Sequence, residues 1–100
     1  MSIRHAKNPT THGLRRLKSR VGIKNKKVAE RMIAEASRYG KSIYDFPEGA
    51  FRDYLISKDH GKRLRVFKGI VFIFNKTSDR CITCYPIPDE HLEEYNSYGK

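Results

Sequence analysis

The strongest constraint on the fold is a change of apolar period near Lys62. Before it, apolar residues recur at helical spacing; after it, "KRLRVF", "IVFIFN" and "RCITCY" are rich in β-branched and aromatic residues and read as alternating strands. Lys68-Gly69 and Thr77-Ser78-Asp79 separate these runs, so an antiparallel meander of three strands is expected. Pro86 and Pro88 then stop it. Helices first and a sheet afterwards predict an α+β fold: two to three N-terminal helices packed on one face of a C-terminal antiparallel β-meander.

The helical half has its own punctuation. Thr10 or Thr11 can cap a first helix in which Leu14, Leu17 and Val21 form a narrow apolar stripe, and Gly22 ends it. Asn25 is placed to cap a second helix running to about Tyr39, with Val28, Met32, Ala36 and Tyr39, supported by Ala29 and Ile33, as its apolar positions and Gly40 as its stop. A shorter third helix is expected after Pro47, with Phe51, Tyr54 and Leu55 turned inward. The chain therefore divides into a basic arm (1–10), one α+β domain (11–88) and an acidic C-terminal tail (89–100) in which Tyr95 and Tyr98 are exposed. One hundred residues suffice for one modest core.

Charge narrows the function. The formal net charge is +10, from 21 basic and 11 acidic side chains. Residues 1–27 hold nine Lys or Arg and no Asp or Glu, whereas 58–80 hold seven basic and two acidic groups. A polyanion is the natural partner, with nucleic acid ahead of an anionic membrane. No apolar run is long enough for a membrane span and no signal-peptide pattern opens the chain, so a cytoplasmic location without membrane partners is expected. Cys81 and Cys84 form a lone CxxC in a strand; odd spacing directs them to opposite faces, and no second ligand pair has zinc spacing, so buried thiols are expected and no metal or cofactor.

Candidate site residues follow from the same pattern. In the first strand Leu64 and Val66 share one face and Arg63, Arg65 and Phe67 the other; in the third, Ile82 and Cys84 oppose Thr83 and Tyr85. If the apolar faces both meet helices, Arg63, Arg65, Thr83 and Tyr85 share the outer face, where guanidinium forks and a hydroxyl suit a phosphate and an aromatic suits a base. His12 and Arg16 are four residues apart on the first helix, with Arg20 one turn on. A histidine among arginines keeps a neutral fraction that accepts a proton. Arg15, Lys18, Arg20, Lys24, Lys26, Lys27, Lys62 and Arg63 are the candidate nucleic-acid contacts. The basic segments are almost devoid of clustered carboxylates, which disfavours a metal-dependent nuclease; an exposed basic helix beside a solvated sheet face is the plainer alternative.

"THGLRRLKSRVGIKNKKVAERM" resembles the opening, and "LRVFKGIVFIFNKTSDRCITCYPIP" the closing half, of small phage and bacterial proteins of the barnase/EndoU/colicin/RelE-like (BECR) nuclease superfamily, over about residues 10–88. The resemblance implies metal-independent RNA cleavage, often by a toxin or phage effector. It puts the helix histidine on His12, the helix arginines on Arg16 and Arg20, the strand arginine on Arg65 and the last-strand hydroxyl on Thr83. On the ribonuclease reading Tyr85 stacks a base or shares the proton transfer. Gly13 stands where a helix former would be expected, and the connection 41–61 is short. The functional readings are a ribonuclease-like effector, with an antitoxin as a possible partner, a non-catalytic RNA- or DNA-binding phage protein that captures a host ribonucleoprotein such as a CRISPR guide-RNA complex, and a ribosomal-type or purely structural accessory protein.

Overall fold

A computed structural model of the chain describes residues 11–78 and 80–98, with side chains from Leu14 onward. The basic arm (1–10), with Thr10 as a possible cap, lies outside the described residues, as do Asp79 and the side chains of Thr11 and His12.

The architecture is α+β. Helix α1 (Thr11–Arg16) continues into one π-helical turn (Leu17–Val21), and Gly22, at φ 87°, closes it by donating its N–H to the Leu17 carbonyl. The left-handed backbone there is what favours glycine. Helix α2 (Lys26–Tyr39) starts where Asn25 Oδ1 accepts hydrogen bonds from the backbone N–H of Lys27 (2.9 Å) and Val28 (3.1 Å). A 3₁₀ turn (Ile43–Asp45), helix α3 (Ala50–Lys58), strands β1 (Arg63–Phe67), β2 (Ile70–Phe74) and β3 (Cys81–Pro86), and helix α4 (Asp89–Tyr98) follow. The sheet order is β1-β2-β3, antiparallel throughout. Lys68 and Gly69 both have positive φ (51° and 79°), the two-residue turn whose twist suits a hairpin.

Helices cover both faces of the sheet, not one. On one face Ile70, Phe72, Phe74, Cys81 and Cys84 pack with Leu17, Ala29, Ile33 and Ala36 from the first two helical segments. On the other, Leu64, Val66, Val71 and Ile73 pack with Ile43, Phe46, Phe51, Leu55 and Ile87, flanked by Leu92, Tyr95 and Tyr98 of α4. The physical reason lies in β2: "IVFIF" is apolar at every position and buried at every position, as a strand covered on both sides must be. Residues 89–98, expected as an acidic tail, form a helix that seals the second face. Tyr95 and Tyr98 are half-buried there, and the Tyr95 hydroxyl accepts the Gly69 N–H at 3.0 Å.

Two register details correct the expected side-chain directions. The pairing Ile73↔Thr83 followed by Phe74↔Cys81 leaves Ile82 as an extra residue, a bulge in β3. That one residue undoes the alternation, so Cys81 and Cys84 enter the same buried cluster instead of opposite faces. In α2 the buried stripe is Ala29, Ile33 and Ala36; Val28 and Tyr39 are exposed, because α2 seats on the sheet one position round from the expected stripe. Gly40 ends α2 in extended rather than left-handed geometry. A Cβ there would lie 2.5 Å from the Ala36 carbonyl oxygen and 3.0 Å from Arg65 Cβ, so close approach to β1 requires the glycine.

Candidate nucleic-acid interface

The register separates the residues expected on one outer face. Arg65, Phe72 and Cys84 form one row, whereas Leu64, Ile73 and Thr83, and Val66, Val71 and Tyr85, form the rows of the opposite face. Arg63 and Arg65 therefore lie on the α2 side of β1, and Thr83 and Tyr85 on the α3 and α4 side of β3. Both faces being covered, neither set lies on an open sheet surface.

The β1 arginines are held by structural contacts. Arg63 Nη2 donates to Ser37 Oγ (3.0 Å) and to the Ser78 carbonyl (3.2 Å), with its guanidinium 4.9 Å from the Phe74 ring centroid. Arg65 Nη1 donates to the Leu64 carbonyl at 2.8 Å. Partial burial and then the like charge of Arg63 lower the Arg65 pKa, with Asp45 opposing. Lys62, Arg63 and Arg65 border a shallow cleft of about 260 Å³ with Tyr44, Asp59 and Lys76.

The first helix associates with β3 instead. Leu14 of α1 and Leu17 and Val21 of the π turn pack against the cluster that holds Cys81 and Cys84. Burial pushes the Cys84 thiol up to about 11, with the charges of Arg20 and then Arg16 opposing, and Arg20 likewise opposes the rise at Tyr85. Burial, then neighbouring Tyr54, raises the Tyr85 hydroxyl to about 12, so it stays protonated at neutral pH as a hydrogen-bond or proton donor. Lys58 Nζ lies 5.6 Å from the ring centroids of both Tyr54 and Tyr85, and the His91 ring is 4.9 Å from that of Tyr54. Arg16 and Arg20 are thus brought to the Cys84-Tyr85 end of β3 as one junction, while Thr83 belongs to the α3 and α4 side of the strand. Lys58, Tyr54 and His91 join it from α3 and α4 without having been sequence candidates, since Tyr54 reads as core and His91 as tail until those helices are packed. His12 belongs to α1, one helical turn before Arg16.

The remaining cations line a second feature. Between the first two helical segments, Leu14, Ile23 and Ala29 floor a groove of about 270 Å³ whose rim carries Arg15, Lys18, Lys24 and Lys26. All four rim cations are exposed, as are Arg20 and Lys27. Lys62 is also exposed but belongs to the β1 cleft.

Cys81 and Cys84 form no disulfide, and burial pushes the Cys81 thiol up to about 12. Among the described residues no three His, Cys, Asp or Glu side chains gather as a metal site would require, and no helix is long and apolar enough to cross a membrane. No protein-family model matches the chain, and no curated protein or solved structure is significantly similar to it.

Proposed function

We propose that the chain acts on RNA as a metal-independent, BECR-like ribonuclease whose site is the α1–β3 junction. The observation that carries this reading is the packing of α1 and the π turn, which bear Arg16 and Arg20, along β3, which bears Tyr85. In the proposed reaction a ribose 2′-oxygen attacks the adjacent phosphorus while His12 takes its proton. The bond from phosphorus to the 5′-oxygen breaks, and Tyr85 donates the proton that the leaving oxygen needs. The products are a 2′,3′-cyclic phosphate and a free 5′-hydroxyl. Arg16 and Arg20 stabilise the charge that builds on the phosphoryl oxygens, Thr83 orients it, and Lys58 adds a cation that sequence patterning did not supply.

The groove between the first two helical segments favours a second reading, nucleic-acid binding without cleavage, because its exposed lysines and arginines are positioned for backbone phosphates. On that reading the chain occupies a nucleic acid or a ribonucleoprotein of its host. Incubation with total RNA in EDTA, beside His12→Gln, separates the two. Cleavage by the parent alone, with 2′,3′-cyclic phosphate ends, supports the ribonuclease; RNA that is retarded on a gel but intact supports the binder.

A further inference from the structure

A cavity of about 280 Å³ lies at the outer edge of β1, beside the hairpin and the end of α4. Its walls are aromatic: Tyr39, Phe46, Phe67, Tyr95 and Tyr98, with Val66 as the one aliphatic side chain. Phe46 is the buried floor, with its ring centroid 6.4 Å from that of Tyr95 and 6.0 Å from that of Tyr98. Tyr39 stands 65% exposed at the mouth. Two cations complete the lining: Lys41 Nζ is 6.0 Å from the Phe46 centroid, and Lys68 Nζ is 5.3 Å from the Phe67 centroid.

This composition selects a ligand. Aromatic faces around a small volume suit one planar ring system, since small-molecule sites usually span roughly 300–1,000 Å³. An aliphatic chain would find almost no aliphatic wall. Two ammonium groups at the rim suit an anion attached to that ring. The Tyr95 hydroxyl already accepts the Gly69 N–H, and its own proton has no acceptor among the described residues, so it can meet a ring nitrogen or carbonyl. Asp45 is the carboxylate acting on Lys41, but one of its oxygens is engaged by the Ser42 N–H at 2.8 Å and the Ser42 hydroxyl at 3.2 Å.

We propose that this cavity is a nucleotide site: a nucleobase enters between the aromatic walls, and its 5′-phosphate is held by Lys41 and Lys68. The site is independent of the groove near the N-terminus. Tyr39 closes α2 and Lys26 opens it, which separates the two by roughly 20 Å along the helix.

NMR titration of the full chain tests this with adenosine 5′-monophosphate, adenosine, ribose 5-phosphate and a short 5′-phosphorylated oligoadenylate. The mononucleotide is expected to shift the amides of 39–41, 67–69 and 95–98. Adenosine should shift the same amides about tenfold more weakly, and ribose 5-phosphate more weakly still. Tyr39→Ala, an exposed position, should weaken mononucleotide binding roughly fivefold or more, and Lys68→Gln should abolish the advantage over adenosine. Tighter binding of the oligonucleotide identifies a strand end as the occupant; equal or weaker binding identifies a free nucleotide. Arg15→Gln with Lys24→Gln should leave mononucleotide binding intact, so failure of the RNA reading does not touch this one. No shift in the three segments at about 10 mM mononucleotide, or equal shifts with ribose 5-phosphate, overturns the proposal.

Discussion

Glu94 on α4 caps α3 across 43 residues of sequence: its Oε1 accepts the Phe51 backbone N–H at 3.1 Å, in the first turn of a helix whose Gly49 N-cap has no side chain to do so. The other carboxylate oxygen accepts the Tyr98 hydroxyl proton. One acid thereby holds α4 against the second face of the sheet and satisfies an orphan donor of α3.

Glu94→Ala should cost about 1–2 kcal/mol, the usual range for a lost helix cap. Urea denaturation would measure it. Glu94→Gln, which retains an acceptor, should lose less than Glu94→Ala; equal losses would mean that the cap contributes nothing.

Gly40→Ala and Gly22→Ala should destabilise for different reasons. At Gly40 the added carbon collides with backbone, at about 1–3 kcal/mol for overpacking. At Gly22 nothing lies within 4 Å, and only the left-handed backbone resists, at about 1–2 kcal/mol. A Gly22→Asn variant should recover part of the second loss, whereas Gly40→Asn should recover none of the first.

Alkali should unfold the protein through its buried thiols. Cys81 and Cys84 keep their protons in the fold to about 12 and about 11, above an ordinary value of 9.0. Above pH 9 the unfolded chain therefore binds fewer protons than the native one, and stability falls as pH rises toward the folded values. Cys84→Ala should flatten that slope. Both thiols should resist a disulfide reagent at pH 8 until the protein is unfolded; rapid labelling of native protein would contradict the burial.

Asp45 acts in the opposite pH range. The Ser42 backbone N–H, then its hydroxyl, holds the carboxyl below its ordinary value of 3.8. The stability it contributes is present above that value and is lost as pH falls through the lowered folded one. Asp45→Asn should differ from the parent at pH 7, and the difference should close under strong acid.

If the α1–β3 junction cleaves RNA, Arg20→Gln should lower turnover about 10²–10³-fold, as removal of a transition-state charge partner does. Arg65→Gln, on β1 and bonded to the Leu64 carbonyl, should change it little. Comparable losses from both would return Arg65 to the site and displace the junction.

Local chemistry was legible in the sequence. Asn25 as a cap, Gly22 as a left-handed stop, the Lys68-Gly69 hairpin turn and the change of period near Lys62 each depend on residues within a few positions, so the sequence by itself determined helix ends, strand number and the α+β class. It also determined where the cations concentrate. Tertiary structure alone decided which side chains meet. A single extra residue at Ile82 turns Cys81 to the same face as Cys84, a change that no alternation rule registers. The second sheet face is covered by the 3₁₀ turn and α3 together with α4, whose half-buried Tyr95 and Tyr98 pack on Phe46 from a distant segment. Strand register parts Arg65 from Thr83 and Tyr85, while helix packing brings Lys58 to Tyr85 and distant aromatics around Phe46. Period is a property of neighbouring residues; a site is a property of the packing between elements.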